Sequence, residues 1–169
     1  AQVTGQAGNF MGLLTARIFL ASVQATRGRL KSAAAAYQEL IRQGGGIPIL
    51  ALAHFDLAAI ALEWNQLDTA GQHVQAGLEL SARSGSAEFQ QAGQVLRVFL
   101  ALARGLPDEA AEAGEQALSL GRGLVGAAPA RGAACQAWLA LERGELEAAE
   151  KWLERAGAGV DAHPFHRFL

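Results

Sequence analysis

The sequence predicts an all-α chain folded as a superhelix of about four helical hairpins, the architecture called an α-solenoid. A short turn pattern, consisting of Gly or Asn, a spacer, usually Leu, two spacers and Ala, occurs four times. Between the turns, apolar residues recur every three or four positions, which is the period of an α-helix. Alanine, the best helix former, supplies 37 of the 169 residues and allows helices to pack closely.

The copies of the turn pattern begin at Gly28, Asn65, Gly105 and Gly144, which are 37, 40 and 39 residues apart. A period in this range is typical of repeat arrays. Gly or Asn permits a positive-φ backbone at the end of the first helix. We expect the following Leu to plug the turn and the final Ala to lie at a close contact between the two helices. Small residues seven positions before each turn residue should complete that contact: Ala21, Ala58, Val98 and Ala137.

The hairpins are predicted to occupy residues 10–43, 48–84, 86–122 and 128–156 of one repeat domain, with a tail at 157–169 for which no element is predicted. Helix breakers separate them, including Pro48, which is tolerated only near a helix start. The chain starts and stops within the repeat pattern, so we expect a fragment of a longer protein. The predicted helices span residues 10–26, 30–43, 48–64, 67–84, 86–104, 107–122, 128–143 and 146–156.

Charge and composition narrow the function. The net charge is −2, the pI is about 6.1 and there are two lysines, so this chain lacks the basic surface that DNA binding requires. Cys135 is the only cysteine, which rules out an internal disulfide and favours a cytoplasmic setting. No apolar run approaches the roughly 18 residues of a membrane span, and we therefore expect no membrane partner.

Motifs that resemble chemical sites have simpler explanations. Residues 121–126 spell G-x-G-x-x-G, but a helix precedes them instead of a strand, so a flexible linker is the better interpretation. His163 and His166 flank Pro164 without a third zinc ligand. Cys135 has no paired base and is interpreted as a buried filler. No catalytic constellation is present, and we predict a non-enzymatic domain without metal or cofactor.

The spacing of small and turn residues resembles the tetratricopeptide repeat, although the units exceed its usual 34 residues. Residues 57–80, which include Leu62-Glu63-Trp64-Asn65-Gln66-Leu67-Asp68, together with residues 24–38, resemble the helical-repeat domain of MalT-like, LuxR-type bacterial transcription regulators. In that family an ATPase domain precedes the repeats and a helix-turn-helix domain follows them. The resemblance therefore implies that ATP and DNA are bound by other domains of the parent protein, and that the repeats sense an effector.

Tetratricopeptide arrays line their concave side with four positions of each first helix, and transferring these positions defines the concave wall of this chain. Two interpretations stay open: the wall is a binding groove, or a tighter superhelix buries it as core. Trp64 is expected to pack between hairpins. The candidate contacts for a ligand or partner are Ser22, Phe55, Phe99, Arg131 and Trp138. The whole wall comprises Thr15, Ile18, Ser22, Ala25, Leu52, Phe55, Ala59, Leu62, Ala92, Val95, Phe99, Leu102, Arg131, Ala134, Trp138 and Leu141.

Two functions follow as hypotheses. The first is the sensor domain of a MalT-like regulator, which binds a small-molecule inducer or a protein effector. The second is a general protein-interaction scaffold that holds a peptide or helix in its groove. Self-association is possible in either case.

Overall fold

The computed structural model describes the backbone of residues 2–157 and the side chains of residues 10–157. This part of the chain is all-α, as predicted, and its helices form four successive antiparallel hairpins. Of the predicted tail at 157–169, residues 158–169, with His163 and His166, lie outside the described residues. The eight α-helices are α1 (Gln2–Thr26), α2 (Leu30–Gly44), α3 (Ala51–Glu63), α4 (Leu67–Ser84), α5 (Ala87–Ala103), α6 (Pro107–Gly121), α7 (Ala128–Glu142) and α8 (Leu146–Ala156).

Two helix starts differ from the prediction by more than one residue. Helix α1 begins at Gln2 instead of residue 10, because the polar segment before Phe10 hides the apolar period but contains no proline to stop a helix. Helix α3 begins at Ala51, after a 3₁₀ turn over Pro48–Leu50 in which the Leu50 N–H donates to the Ile47 carbonyl at 3.0 Å. Pro48 lacks an N–H group, and the tighter turn accommodates it ahead of the helix.

All four hairpin turns have the same backbone geometry. The turn residues Gly28, Asn65, Gly105 and Gly144 adopt φ values of 75°, 54°, 71° and 74°. Each donates its N–H to the carbonyl three residues earlier, and the next residue donates to the carbonyl five residues earlier, at 2.8–3.0 Å. This pair of bonds is the Schellman motif, which satisfies carbonyls at a helix end. The turn pattern is thus explained by backbone hydrogen bonding.

The small residues of the turn pattern lie at helix contacts, as predicted. The four pattern alanines, Ala33, Ala70, Ala110 and Ala149, are at most 2% exposed. The role expected for the preceding Leu holds in the first two turns, where Leu30 and Leu67 pack against apolar clusters. It fails in the other two, because Pro107 is exposed and Leu146 keeps 65% of its surface in solvent.

The first helices of neighbouring hairpins also touch each other directly, α1 with α3, α3 with α5, and α5 with α7. Close approach depends on two glycines around Phe55, because a Cβ added to Gly77 or to Gly93 would collide with the Phe55 ring. The ring fills the space between α4 and α5. The superhelix is consequently tight enough to bury much of its inner side.

Candidate functional site

Most of the row of the concave wall that lies ten residues before each turn residue is core. Ile18, Phe55 and Val95 are 2%, 0% and 5% exposed, whereas Ala134 is half-buried. The core interpretation of the wall therefore holds for this row in the first three hairpins. The prediction that Phe55 contacts a ligand is therefore wrong. Its ring is fully buried against Gly77 and Gly93 and offers no surface to a ligand.

The wall opens towards the last two hairpins, in the rows six and three residues before the turn residue. Phe99 is half-buried, Trp138 is 40% exposed and Leu141 is 45% exposed. The rings of Phe99 and Trp138 meet edge to face, with centroids 6.0 Å apart. This edge-to-face geometry stabilises both rings. We call Phe99, Trp138 and Leu141 the aromatic end of the wall.

The remaining candidate contacts are more buried than Trp138. Arg131 is only 8% exposed in α7, so its guanidinium is largely removed from water. Ser22 is half-buried in α1, where it neighbours the buried hydroxyl of Tyr37. Trp64 keeps 40% of its surface exposed at the end of α3 and is not enclosed between hairpins as expected. The structure thus places two predicted site residues, Phe99 and Trp138, in direct contact.

A polar cluster missed by the sequence analysis joins the first two hairpins. Tyr37 of α2 is fully buried, and Ser22 of α1 and Asp56 of α3 are its polar neighbours, although no hydrogen bond of good geometry reaches its hydroxyl. Burial raises the pKa of Asp56 to about 7 and, with the charge of Asp56, raises the pKa of Tyr37. The signal in the sequence was Asp56 itself, the one charged residue between Ile47 and Leu62.

A histidine pair lies inside the second hairpin. The Nδ1 atoms of His54 in α3 and His73 in α4 are 3.0 Å apart, so one ring donates and the other accepts. Burial, followed by the charge of the neighbouring ring, lowers the pKa of His54 to about 4, and burial lowers the pKa of His73. Both rings are therefore neutral at pH 7, and the pair ties the two helices together.

A buried glutamine connects the third hairpin to the fourth. The Gln91 side-chain amide of α5 donates to the carbonyls of Ala117 and Ala128, at 3.0 and 2.8 Å. Its own Oε1 atom, and Nε2 of Gln136, are buried without a hydrogen-bond partner. Since unsatisfied buried polar atoms weaken an interface, the contact between these hairpins is held less firmly than an apolar one of equal size.

A second concavity, a groove of about 800 Å³, lies between α4, α5 and the start of α6. Its lining carries both charge signs, including Arg97, Glu79 and Glu109. Arg104 crosses Gly71 to pair with Asp68 at 3.3 Å. Because opposite charges are mixed along its lining, this groove favours neither an anionic nor a cationic ligand. The aromatic end of the wall is therefore the better candidate for a binding site.

Metal binding and nucleophilic chemistry find little support among the described residues. They contain no group of three or more potential metal ligands, and none of their helices has the length and apolar character needed to traverse a bilayer. Cys135 is 3% exposed, and burial raises the pKa of its thiol to about 12. A thiol with so high a pKa is a poor nucleophile.

Comparison with known proteins places this fold in a family. The sequence model described as "MalT-like TPR region" matches residues 2–168. A search of curated proteins finds no match. Among solved structures, the crystal structure of BtubC (BKLC) from P. vanneervenii superposes with a TM-score of 0.69 at 19% identity, covering 89% of this chain and 65% of that one. The match spans nearly the whole sequence, and the chain belongs to the MalT-like tetratricopeptide-repeat family.

Proposed function

We propose that this chain is the effector-binding repeat domain of a MalT-like, LuxR-type transcription regulator. In the parent protein, ATP and DNA would be bound by other domains, and the repeats would bind a small-molecule inducer or a protein effector in the cytoplasm. The observation that carries the proposal is the aromatic end of the wall, where the rings of Phe99 and Trp138 meet edge to face with centroids 6.0 Å apart.

The chemistry of this end suits a ligand with an apolar face. Trp138 and Leu141 lie three residues apart on α7 and are 40% and 45% exposed, which gives a continuous apolar stripe beside the half-buried Phe99. An indole combines a flat apolar face with a polar N–H group, so it can stack on a sugar ring and hydrogen-bond to its hydroxyls. An oligosaccharide inducer is therefore the small molecule we would test first.

Binding would act through the angle between the last two hairpins. Phe99 belongs to the third hairpin and Trp138 to the fourth, so one ligand on both rings would hold α5 and α7 at a fixed separation. The Gln91 and Gln136 atoms that have no hydrogen-bond partner among the described residues support an interface that can move. A ligand that prefers one angle would shift the population of superhelix shapes and thereby the state of the parent protein.

The test is titration calorimetry of a series of linear gluco-oligosaccharides against the wild type and Trp138→Ala. Loss of the indole should weaken binding by up to about tenfold, since an aromatic pair contributes about 0.5–1.5 kcal/mol beyond its buried area. Trp64→Ala is the matched control, because Trp64 is also 40% exposed but lies outside the wall. Equal affinity of Trp138→Ala and wild type would remove Trp138 from the site.

The second candidate function is a scaffold that binds an amphipathic helix. The Trp138–Leu141 stripe favours it, because its three-residue spacing is the one that docked helices present. If this function is correct, a peptide helix with apolar residues at that spacing should bind to the chain, and the oligosaccharides should not. Its binding should be lost in both Trp138→Ala and Leu141→Ala, and retained in Trp64→Ala.

A further inference from the structure

The groove of about 800 Å³ between α4, α5 and the start of α6 contains a cation that the fold does not use. Arg104, at one end of this groove, is held by Asp68 and by the carbonyl of Leu67. Arg97 is bound differently. Within the described part of the chain its guanidinium forms no ion pair, and it donates a hydrogen bond to the Gln94 side-chain oxygen at 3.2 Å. No carboxylate of these residues therefore neutralises Arg97 by direct contact.

The other hairpins show that a cation is unusual at this place. Arg97 lies eight residues before its turn residue, a position that Leu57 occupies in the second hairpin and Gln136 in the fourth. Leu57 is 4% exposed, and the half-buried Gln136 lies over Gly114 of the preceding hairpin. The half-buried Arg97 thus loses hydration at an interface between hairpins without gaining a carboxylate. This cost favours a role in binding an anionic group from outside the chain.

Two carboxylates of the same groove also lack an ion pair with the described residues. Glu79 of α4 accepts a hydrogen bond from the Gln75 side chain at 2.9 Å, and Glu109 lies in the first turn of α6. Neither forms a salt bridge within residues 10–157. The buried residues of the lining are apolar: Val74, Leu100 and Ala101. The groove thus offers one ligand an anion-binding group, cation-binding groups and apolar surface.

The packing of α4 on α5 sets the separation of these charges. The two helices are consecutive and antiparallel, and Leu78 of α4 packs directly on Gly93 of α5. In this register Arg97 is level with Val74. Glu79 follows Val74 by five residues, which is about 7.5 Å along the helix axis. An extended dipeptide covers about 7 Å, so its two charged ends match this separation.

We propose that this groove binds a short zwitterionic peptide, with the peptide carboxylate on Arg97 and the peptide ammonium group on Glu79. A guanidinium holds a carboxylate through two parallel hydrogen bonds, so Arg97 would fix the orientation of the peptide. The buried apolar lining would contact its side chains. No residue of the aromatic end of the wall lines this groove, so the site is separate from the one in the proposed function.

The test is titration calorimetry of L-alanyl-L-alanine with free ends against wild type, Arg97→Gln and Glu79→Gln. Wild type should bind the dipeptide. Each variant should bind it about ten- to a hundredfold more weakly, because each loses a hydrogen bond to a charged group. The fourth hairpin carries glutamine at the position of Arg97, so Arg97→Gln should fold, and an unchanged melting curve verifies this.

Two further variants serve as controls. Arg122→Gln removes an exposed arginine outside the groove and should bind the dipeptide like wild type. Trp138→Ala should also bind it like wild type. Loss of dipeptide binding in Trp138→Ala would overturn the proposal, since it would place the peptide at the aromatic end of the wall.

Capped dipeptides test whether both charges are needed. N-acetyl-alanyl-alanine lacks the ammonium group and alanyl-alanine amide lacks the carboxylate. Each should bind wild type at least about tenfold more weakly than the free dipeptide. Equal binding of free and capped dipeptides would overturn the proposal, as would equal affinity of wild type and Arg97→Gln. So would a wild type that fails to bind the free dipeptide at roughly millimolar concentration.

Discussion

The first two hairpins and the last two share the same turns but are held together differently. In the first two, one apolar cluster includes the fully buried Tyr37, Phe55 and Leu50. In the last two, the buried residues are mainly alanine, glycine and valine, and Gln91 connects the hairpins through polar bonds. The comparison teaches that a repeat can keep its turn geometry while its packing changes from large side chains to closely approaching backbones.

The largest effect that separates the halves should come from burying a charge at the alanine of the turn pattern. Ala33→Asp should disrupt the large apolar cluster and lower the free energy of unfolding by about 3–5 kcal/mol or more. Ala149→Asp should unfold only the last hairpin. Helix α8 has a single buried residue, Ala149, and packs chiefly on α7.

Circular dichroism melting and amide hydrogen exchange check this difference. Ala149→Asp should lose protection in α7 and α8 while α3 and α4 keep theirs. Unchanged melting and helicity in Ala149→Asp would contradict the repeat assignment. A single unfolding transition for the whole chain would contradict the separation of the two halves.

Phenylalanine truncation sharpens the same comparison on the concave wall. Phe55→Ala should destabilise the fold by about 3–5 kcal/mol, because it leaves a cavity between α4 and α5. Phe99→Ala should cost only about 1 kcal/mol, since Phe99 is already partly open to solvent. Urea unfolding measures both values. Equal losses would mean that Phe99 is as much a core residue as Phe55.

A smaller, pH-dependent effect belongs to the first half. The pKa of Asp56 is raised by burial from 3.8 to about 7, so the folded chain retains a proton that the unfolded chain releases. Stability contributed by this proton is complete below about pH 4 and is lost as the pH rises to 7. Asp56→Asn should remove this loss and stabilise the protein at pH 8, by on the order of 2 kcal/mol.

Urea unfolding at several pH values follows this change, and the difference between variant and wild type isolates Asp56. His54 acts in the opposite direction, since its pKa is lowered to about 4 and its contribution is lost as the pH falls from 6.5. Asp68→Asn, at a fully exposed side chain, is the control. The difference in unfolding free energy between Asp56→Asn and wild type should change between pH 4 and 8. If it stays constant, Asp56 is ionised in the folded state without an energetic penalty.

The fold could be predicted from sequence because its determinants are local. The turns depend on one positive-φ residue and two backbone bonds, so Gly28 and its three equivalents reveal them directly. The state of the concave wall could not be predicted in the same way. It depends on small rotations summed between hairpins, and these follow from contacts between distant residues, such as Phe55 with Gly93.

The contacts among the polar groups of the first two hairpins could not be predicted either, for the same reason. Asp56 stands alone in an apolar segment, which signals an unusual environment, but its neighbours Tyr37 and Ser22 come from two other helices. The same holds for His54 and His73, which meet only after α3 and α4 have paired. In contrast, Phe99 and Trp138 shared a position in the repeat, and that position was enough to place them side by side.

The enclosure of Phe55 has an evolutionary consequence. Its ring occupies the space that a side chain at position 77 or position 93 would need, so the three positions must change together. Among related repeats, a larger residue at either glycine position should accompany a smaller one at the position of Phe55. Substitutions at these positions are therefore expected to occur in pairs. In contrast, Asn65 at the neighbouring turn can be replaced by glycine, which also adopts a positive φ.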